Sequence, residues 1–203
     1  MYDLYLSIFP SSAFNTIQPH ILIPTLLHMG VNRTATQWIL NFLTKRPQFV
    51  FLKINDCSFS SSVITTDTGA PQGTVLAPIL FSIYTNDCVK NFRNIPIIKY
   101  ADDTSIQALI SSETDLLNYE NEISRFVKWC DDHFLLLNVK KTKEVIFDFR
   151  LKDNVHSNIL IKGQEVERVK EYKYLGVVFD EKLDWSKNSI TIQKKINQRL
   201  FFF

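Results

Sequence analysis

Asp102 and Asp103 stand side by side in Tyr100-Ala101-Asp102-Asp103, between an apolar run over 95–100 and a second from Thr104 to Ile110. Both runs are rich in β-branched and aromatic residues, which places the two carboxylates at the tip of an expected β-hairpin. Paired carboxylates in that position are oxygen donors of the kind Mg²⁺ takes, since that ion completes its octahedron with water and phosphate oxygens. Asp also tolerates tight turns, so a solvated surface turn is the competing reading of the pair by itself. Other site chemistries lack support. Cys57, Cys88 and Cys130 are far apart and odd in number, and His20, His28, His133 and His156 are equally scattered, so neither a zinc site nor a disulfide framework is expected.

The elements that must position these carboxylates follow from periodicity. Tyr2 to Phe9 is rich in strand formers, and Pro19 to Met29 has helical spacing with Gly30 suited to closing it and Pro24 expected to kink or interrupt it. Asn32 can cap a second helix through Thr44, after which Gln48–Ile54 and Ser58–Thr66 alternate like paired strands. The turn-rich Gly69-Ala70-Pro71-Gln72-Gly73 leads into an apolar helix from Thr74 to about Phe92, with Pro78 near its start. Ser112 can cap a long amphipathic helix in which Leu116, Ile123, Phe126, Val127 and Cys130 share a face. Lys143–Phe149, Ile159–Ile161 and Tyr172–Phe179 supply further strands, Lys162-Gly163-Gln164 a turn, and a last helix starts near Lys187. This order predicts an α+β fold, an antiparallel sheet with helices packed largely on one face.

With 203 residues, 45% of them hydrophobic and 22% charged, the chain can bury a full core. The net charge of +2 neither requires nor excludes a polyanionic partner, so basic surface must come from local clusters, of which Lys140, Lys141 and Lys143 form one and Lys194, Lys195 and Arg199 another. No apolar run spans a bilayer and no basic region precedes the first apolar stretch, so an intracellular, unsecreted protein without a membrane partner is expected, nuclear or cytoplasmic. Apolar residues start directly after Met1 and the chain stops on Phe201-Phe202-Phe203, an unfavourable natural boundary.

The Gly69–Gly73 turn leading into a helix upstream of Tyr-Ala-Asp-Asp is specific in a way that neither motif is alone. Together with Ser11-Ser12-Ala13-Phe14-Asn15-Thr16-Ile17, Leu137-Asn138-Val139-Lys140-Lys141-Thr142-Lys143 and Tyr172-Lys173-Tyr174-Leu175-Gly176, these stretches resemble a reverse transcriptase of a non-long-terminal-repeat (LINE-type) retrotransposon. The resemblance implies a polymerase palm over residues 1–180 and the start of a thumb over 181–203, with the fingers mostly missing and the thumb truncated. It implies RNA-directed DNA polymerisation through two Mg²⁺ ions, Mn²⁺ being an alternative, on an RNA template, a DNA primer and deoxynucleotides.

The same resemblance assigns Asp102 and Asp103 as metal-binding catalytic carboxylates. Phe14 takes the place of the residue that closes the sugar pocket against a ribose 2′-hydroxyl, with core packing as the alternative for such a Phe. Gly69, Ala70, Pro71, Gln72, Gly73 and Tyr100 fall on nucleotide- and template-facing positions, Gln72 offering its amide beside the base pair. Lys141 matches the lysine that protonates the leaving pyrophosphate, with Lys140, Lys143 or a plain solvated charge run as alternatives. Tyr174, Leu175 and Gly176 match the hairpin that grips the primer, and core packing also accounts for Tyr174.

One departure bears directly on the chemistry. The family's first palm motif carries Asp two residues before the Ser-Ser pair, and this chain has Phe9 there, followed by Pro10. Phe cannot ligate a metal, and Asp3 lies about 20 Å up an extended strand, out of reach of the same ion. An impaired polymerase fragment is therefore expected. The alternatives are a non-catalytic remnant that binds RNA or protein and a part of a longer, active polymerase.

Overall fold

A computed structural model describes residues 1–8, 10–88, 95–150 and 157–201. The first part of the chain forms β1 (Tyr2–Ile8), a 3-10 turn (Ala13–Thr16), α1 (Pro19–His28) and α2 (Arg33–Leu43). Two short ribbons follow from β2 (Arg46–Gln48), β3 (Phe51–Ile54), β4 (Cys57–Ser60) and β5 (Ile64–Thr66), and then α3 (Leu76–Tyr84). Next come β6 (Ile97–Tyr100), β7 (Asp103–Ile110), α4 (Glu113–Asp132) and β8 (Lys143–Phe147). The chain continues through β9 (Leu160–Ile161), β10 (Gln164–Glu165), β11 (Glu167–Arg168), β12 (Glu171–Tyr174), β13 (Val177–Asp180) and α5 (Ser186–Leu200). Among the described residues no helix is long and apolar enough to cross a membrane.

The chain divides into two compact units, Met1–Pro10 with Phe92–Lys128 and Leu137–Phe203, and Ser11–Asn91 with Trp129–Leu136. In the first unit a five-stranded sheet runs in the order β11-β8-β1-β7-β6, with β1 antiparallel to both β7 and β8. Leu4 to Ile8 of β1 are all buried, which requires cover on both faces of the sheet. Leu116 of α4 lines a cavity with Leu4, Glu144 and Ile146, so the helix covers the face carrying Leu4, Leu6 and Ile8. The β12–β13 hairpin covers the other face, where the rings of Tyr172, Tyr174 and Phe179 surround Tyr5 at 6.2, 5.9 and 5.3 Å. The expected mixed α+β architecture is the observed one.

Glu144 is only 1% exposed, and its Oε2 accepts Nε and Nη2 of Arg168 at 3.0 and 2.9 Å. This pair joins β8 to β11, the sheet's one parallel neighbour and a strand too short to show in periodicity.

The second unit packs α1, α2 and α3 around Leu22, Leu26, Leu43, Leu80, Phe81 and Tyr84. Asn32 caps α2 as expected, its Oδ1 accepting Ala35 N–H at 2.8 Å, although the helix stops at Leu43. Gly30 (φ +87°) closes α1, with Gly30 N–H donating to Leu27 O and Val31 N–H to Leu26 O, both at 3.0 Å. Pro24 does not interrupt α1. It sits on the exposed side of an unbroken helix, where losing one backbone donor costs least. The expected Thr74–Phe92 helix is shorter in the structure, Leu76–Tyr84 followed by a turn over residues 85–87; the chain just beyond Cys88 lies outside the described residues, and so does Phe9.

Candidate active site

Tyr100 and Asp103 form the closing pair of the β6–β7 hairpin, leaving Ala101 and Asp102 as its two-residue loop. Ala101 is held in the left-handed region at φ 54°, a conformation that costs a residue with a Cβ about 1 kcal/mol and persists where surroundings over-determine it. Tyr100 points outward and is 61% exposed, whereas Asp102 and Asp103 are half-buried. Burial, and secondarily the charge of Asp102, push the Asp103 carboxyl above its usual range. Among the described residues no group of three or more His, Cys, Asp or Glu is arranged to hold a metal ion.

The strand residues beside this hairpin tip include three with small hydroxyl side chains, Ser7, Thr104 and Ser105, and the apolar Ile8. Ile8 pairs with Thr104, and Ser7 with Ser105. Tyr172 Oη donates to Ser7 Oγ at 2.9 Å, and Asp103 contributes to raising both the Tyr172 and Tyr174 phenols, after the larger effect of burial. Burial pushes the Tyr5 phenol up, and Ser105 beside Tyr5 and Tyr174 opposes the rise in both, yet among the described residues Tyr5 Oη, Ser105 Oγ and Tyr174 Oη are buried without a partner in hydrogen-bond geometry. The hairpin carrying these tyrosines turns at Leu175 (φ 48°) and Gly176 (φ 90°), two successive left-handed residues as a tight β-turn of this hand demands. Leu175 is 50% exposed at its tip.

The 137–143 segment reaches the same unit through the bridge between Leu137 and Pro10. Lys141 N–H donates to Asn138 O and Oδ1, both at 3.1 Å, leaving its side chain exposed, as is that of Lys140. Lys143 is engaged elsewhere, in an ion pair with Glu167 and a 3.0 Å bond to Lys140 O. Of the three lysines, it is the one already committed to a partner.

The other expected residues gather in the second unit. Phe14 is half-buried, with its ring edge-on to Phe81 at 5.4 Å. Gly69 N–H donates to Ile17 O at 2.7 Å and Ala70 N–H to Phe14 O at 2.8 Å, which lays the Gly69–Gly73 loop along the 3-10 turn. Gly69 is required here: at φ +73° a Cβ would stand 2.7 Å from Asn15 Cα. Pro71 O accepts the Thr74 hydroxyl at 2.8 Å, and Gln72 and Gly73 are exposed at the loop's crest. Gln72 Nε2 donates to Asn15 Oδ1 at 3.3 Å, pairing two side-chain amides across the loop and turn.

Several participants had no assigned role in the sequence reading: Asn15, Arg46, Ser7, Ser105 and Tyr172. Asn15 and Tyr172 lie inside the quoted motifs, so their neighbourhood was visible. Arg46 had no local signal for this role, because its partners in the loop, Thr68 and Gly69, lie 22 and 23 residues away.

Residues 1–179 match the family model described as reverse transcriptase (RNA-dependent DNA polymerase). The RNA-directed DNA polymerase from mobile element jockey of Drosophila melanogaster is 26% identical over 153 residues, covering 70% of this chain and 16% of that protein. Its Drosophila funebris counterpart is 29% identical over 150 residues, 69% of this chain and 16% of that one. The probable RNA-directed DNA polymerase from transposon BS of Drosophila melanogaster is 29% identical over 147 residues, 65% of this chain and again 16% of the relative. Among solved structures, telomerase from Candida tropicalis in complex with a TWJ fragment of telomeric RNA superposes with a TM-score of 0.61 at 12% identity, over 93% of this chain and 30% of that one. The apo telomerase truncated from its C-terminal domain, from the same organism, gives 0.57 at 12% identity, over 90% and 35%. At that identity the telomerase likeness is one of fold.

Proposed function

Because the chain belongs to the reverse transcriptase (RNA-dependent DNA polymerase) family, we propose that it is the palm of a retroelement-type polymerase, over residues 1–180, followed by the start of a thumb over 181–203. Its substrates are a deoxynucleoside triphosphate, a DNA primer and an RNA template. The observation that carries this reading is the Asp102–Asp103 pair on a strained hairpin tip, with the Asp103 carboxyl raised by burial and by its neighbour's charge.

Two half-buried carboxylates suit one Mg²⁺ ion whose remaining positions go to water and nucleotide phosphates. They do not suit the family's two-ion arrangement, which takes a third carboxylate from the position of Phe9. When bound, the ion withdraws charge from the phosphate oxygens and eases ionisation of the attacking hydroxyl.

The chain's own groups do the rest. In the reaction the primer 3′-hydroxyl loses its proton to solvent water, its oxygen bonds to the α-phosphorus and the bond to pyrophosphate breaks. Lys141, exposed and uncommitted, gives the leaving pyrophosphate its proton. Phe14 blocks the space of a 2′-hydroxyl, Gln72 presents its amide to the nucleotide, and the tight turn at Leu175 and Gly176 lets backbone approach the primer. With Phe9 in place of a carboxylate, turnover is impaired. Calorimetry with Mg²⁺ and a deoxynucleotide tests this: Phe9→Asp should tighten metal binding about tenfold, the scale of one metal-linked interaction, and unchanged binding would remove Phe9 as the cause.

A further inference from the structure

Arg46, at the start of β2, donates from Nη2 to Thr68 O at 2.5 Å and to Gly69 O at 2.9 Å, and from Nε to Leu43 O at 3.1 Å. One guanidinium therefore serves the last turn of α2 and two successive carbonyls of the loop. The opposite ends of those peptide groups are occupied too. In the peptide joining residues 68 and 69, Arg46 holds the carbonyl and Ile17 O takes the N–H. In the peptide joining residues 69 and 70, Arg46 again holds the carbonyl and Phe14 O takes the N–H. Both peptide planes flanking Gly69 are thus fixed at each of their polar atoms, leaving its φ of +73° no freedom. Lys45 N–H donating to Asp67 Oδ1 at 2.8 Å and the Arg46–Thr66 pairing of β2 with β5 hold the guanidinium in register.

We propose that Arg46 is a positioning residue for sugar selection: it presses the Gly69–Gly73 loop onto the backbone of Phe14 and so sets where the Phe14 ring and the Gln72 amide stand relative to each other. This rests on the polymerase reading, in which Phe14 excludes a 2′-hydroxyl. A fork with fixed donor directions is what the job needs, and a lysine ammonium cannot reproduce it. An Arg46 whose role was only structural would lower stability and slow every substrate alike. A positioning role changes the ratio between substrates.

The test uses Arg46→Lys and Arg46→Met in the full chain, with two measurements. Amide hydrogen exchange should show protection at Gly69 and Ala70 falling at least tenfold, with the Val31 amide of the same unit unchanged. Unchanged protection at Gly69 and Ala70 overturns the clamp. In the Phe9→Asp background, single-nucleotide incorporation should show the preference for deoxy- over ribonucleotide narrowing about tenfold, more in Met than in Lys. An equal loss for both sugars overturns the positioning role and leaves a structural one. If the Phe9→Asp parent incorporates nothing, it is the polymerase reading that has failed, and exchange alone then decides whether Arg46 holds the loop.

Discussion

Tyr172 Oη donates to Ser7 Oγ at 2.9 Å across 165 residues of sequence, tying the β12–β13 hairpin to β1 beside the Asp103 tip. Ser7 is fully buried, so its hydroxyl has no water to fall back on. Phe at position 172 keeps the ring packing on Tyr5 and removes only the donor. Tyr172→Phe should cost about 1–2 kcal/mol in urea denaturation, a lost hydrogen bond plus a stranded buried oxygen. A variant as stable as the parent would mean that the bond does not hold the hairpin.

Gly69 and Gly73 both have positive φ, at +73° and +80°, but only Gly69 has a backbone against it, with Asn15 Cα at 2.7 Å and Asn15 O at 2.9 Å from an added Cβ. Gly73→Ala should therefore cost about 1 kcal/mol, the backbone preference alone. Gly69→Ala should cost clearly more, because the 3-10 turn carrying Phe14 must move. Thermal melts of the two variants check this, and equal losses would contradict the described contact.

Asp103 and Glu144 both have carboxyls raised above their ordinary values, Asp103 by burial and then Asp102, Glu144 by burial against the opposing effect of Arg168. The folded state therefore keeps these protons to higher pH than the unfolded chain, whose carboxyls titrate near about 4. The stability these groups contribute is fully present below that value and is lost as pH rises through their folded values. Asp102→Asn removes the like charge beside Asp103, so it should gain stability relative to the parent as pH is raised from about 3 to 7. A stability difference that does not vary with pH would contradict the coupling of the two aspartates.

Much of this was legible locally. The carboxylate hairpin followed from strand formers flanking Ala101-Asp102, the Asn32 cap and Gly30 closure from single residues, and the long helix start from Ser112, whose Oγ accepts Asp115 N–H. Contacts distant in sequence were not. Glu144 sits in a strand whose alternation reads as ordinary, and only the fold brings Arg168 to it. Arg46 reads as one basic residue between an expected helix and an expected strand until the chain returns with Thr68 and Gly69. Pro24 departs from the helix-breaking expectation because its side of α1 faces solvent, a fact that only the fold supplies.

The most direct test of the central claim is primer extension on an RNA template with deoxynucleotides and Mg²⁺, comparing the parent chain, Phe9→Asp, and Phe9→Asp combined with Asp102→Asn. The parent should extend at or near background, Phe9→Asp should extend the primer measurably, and Asp102→Asn should abolish that gain. Robust extension by the parent, or none by Phe9→Asp, would contradict the account.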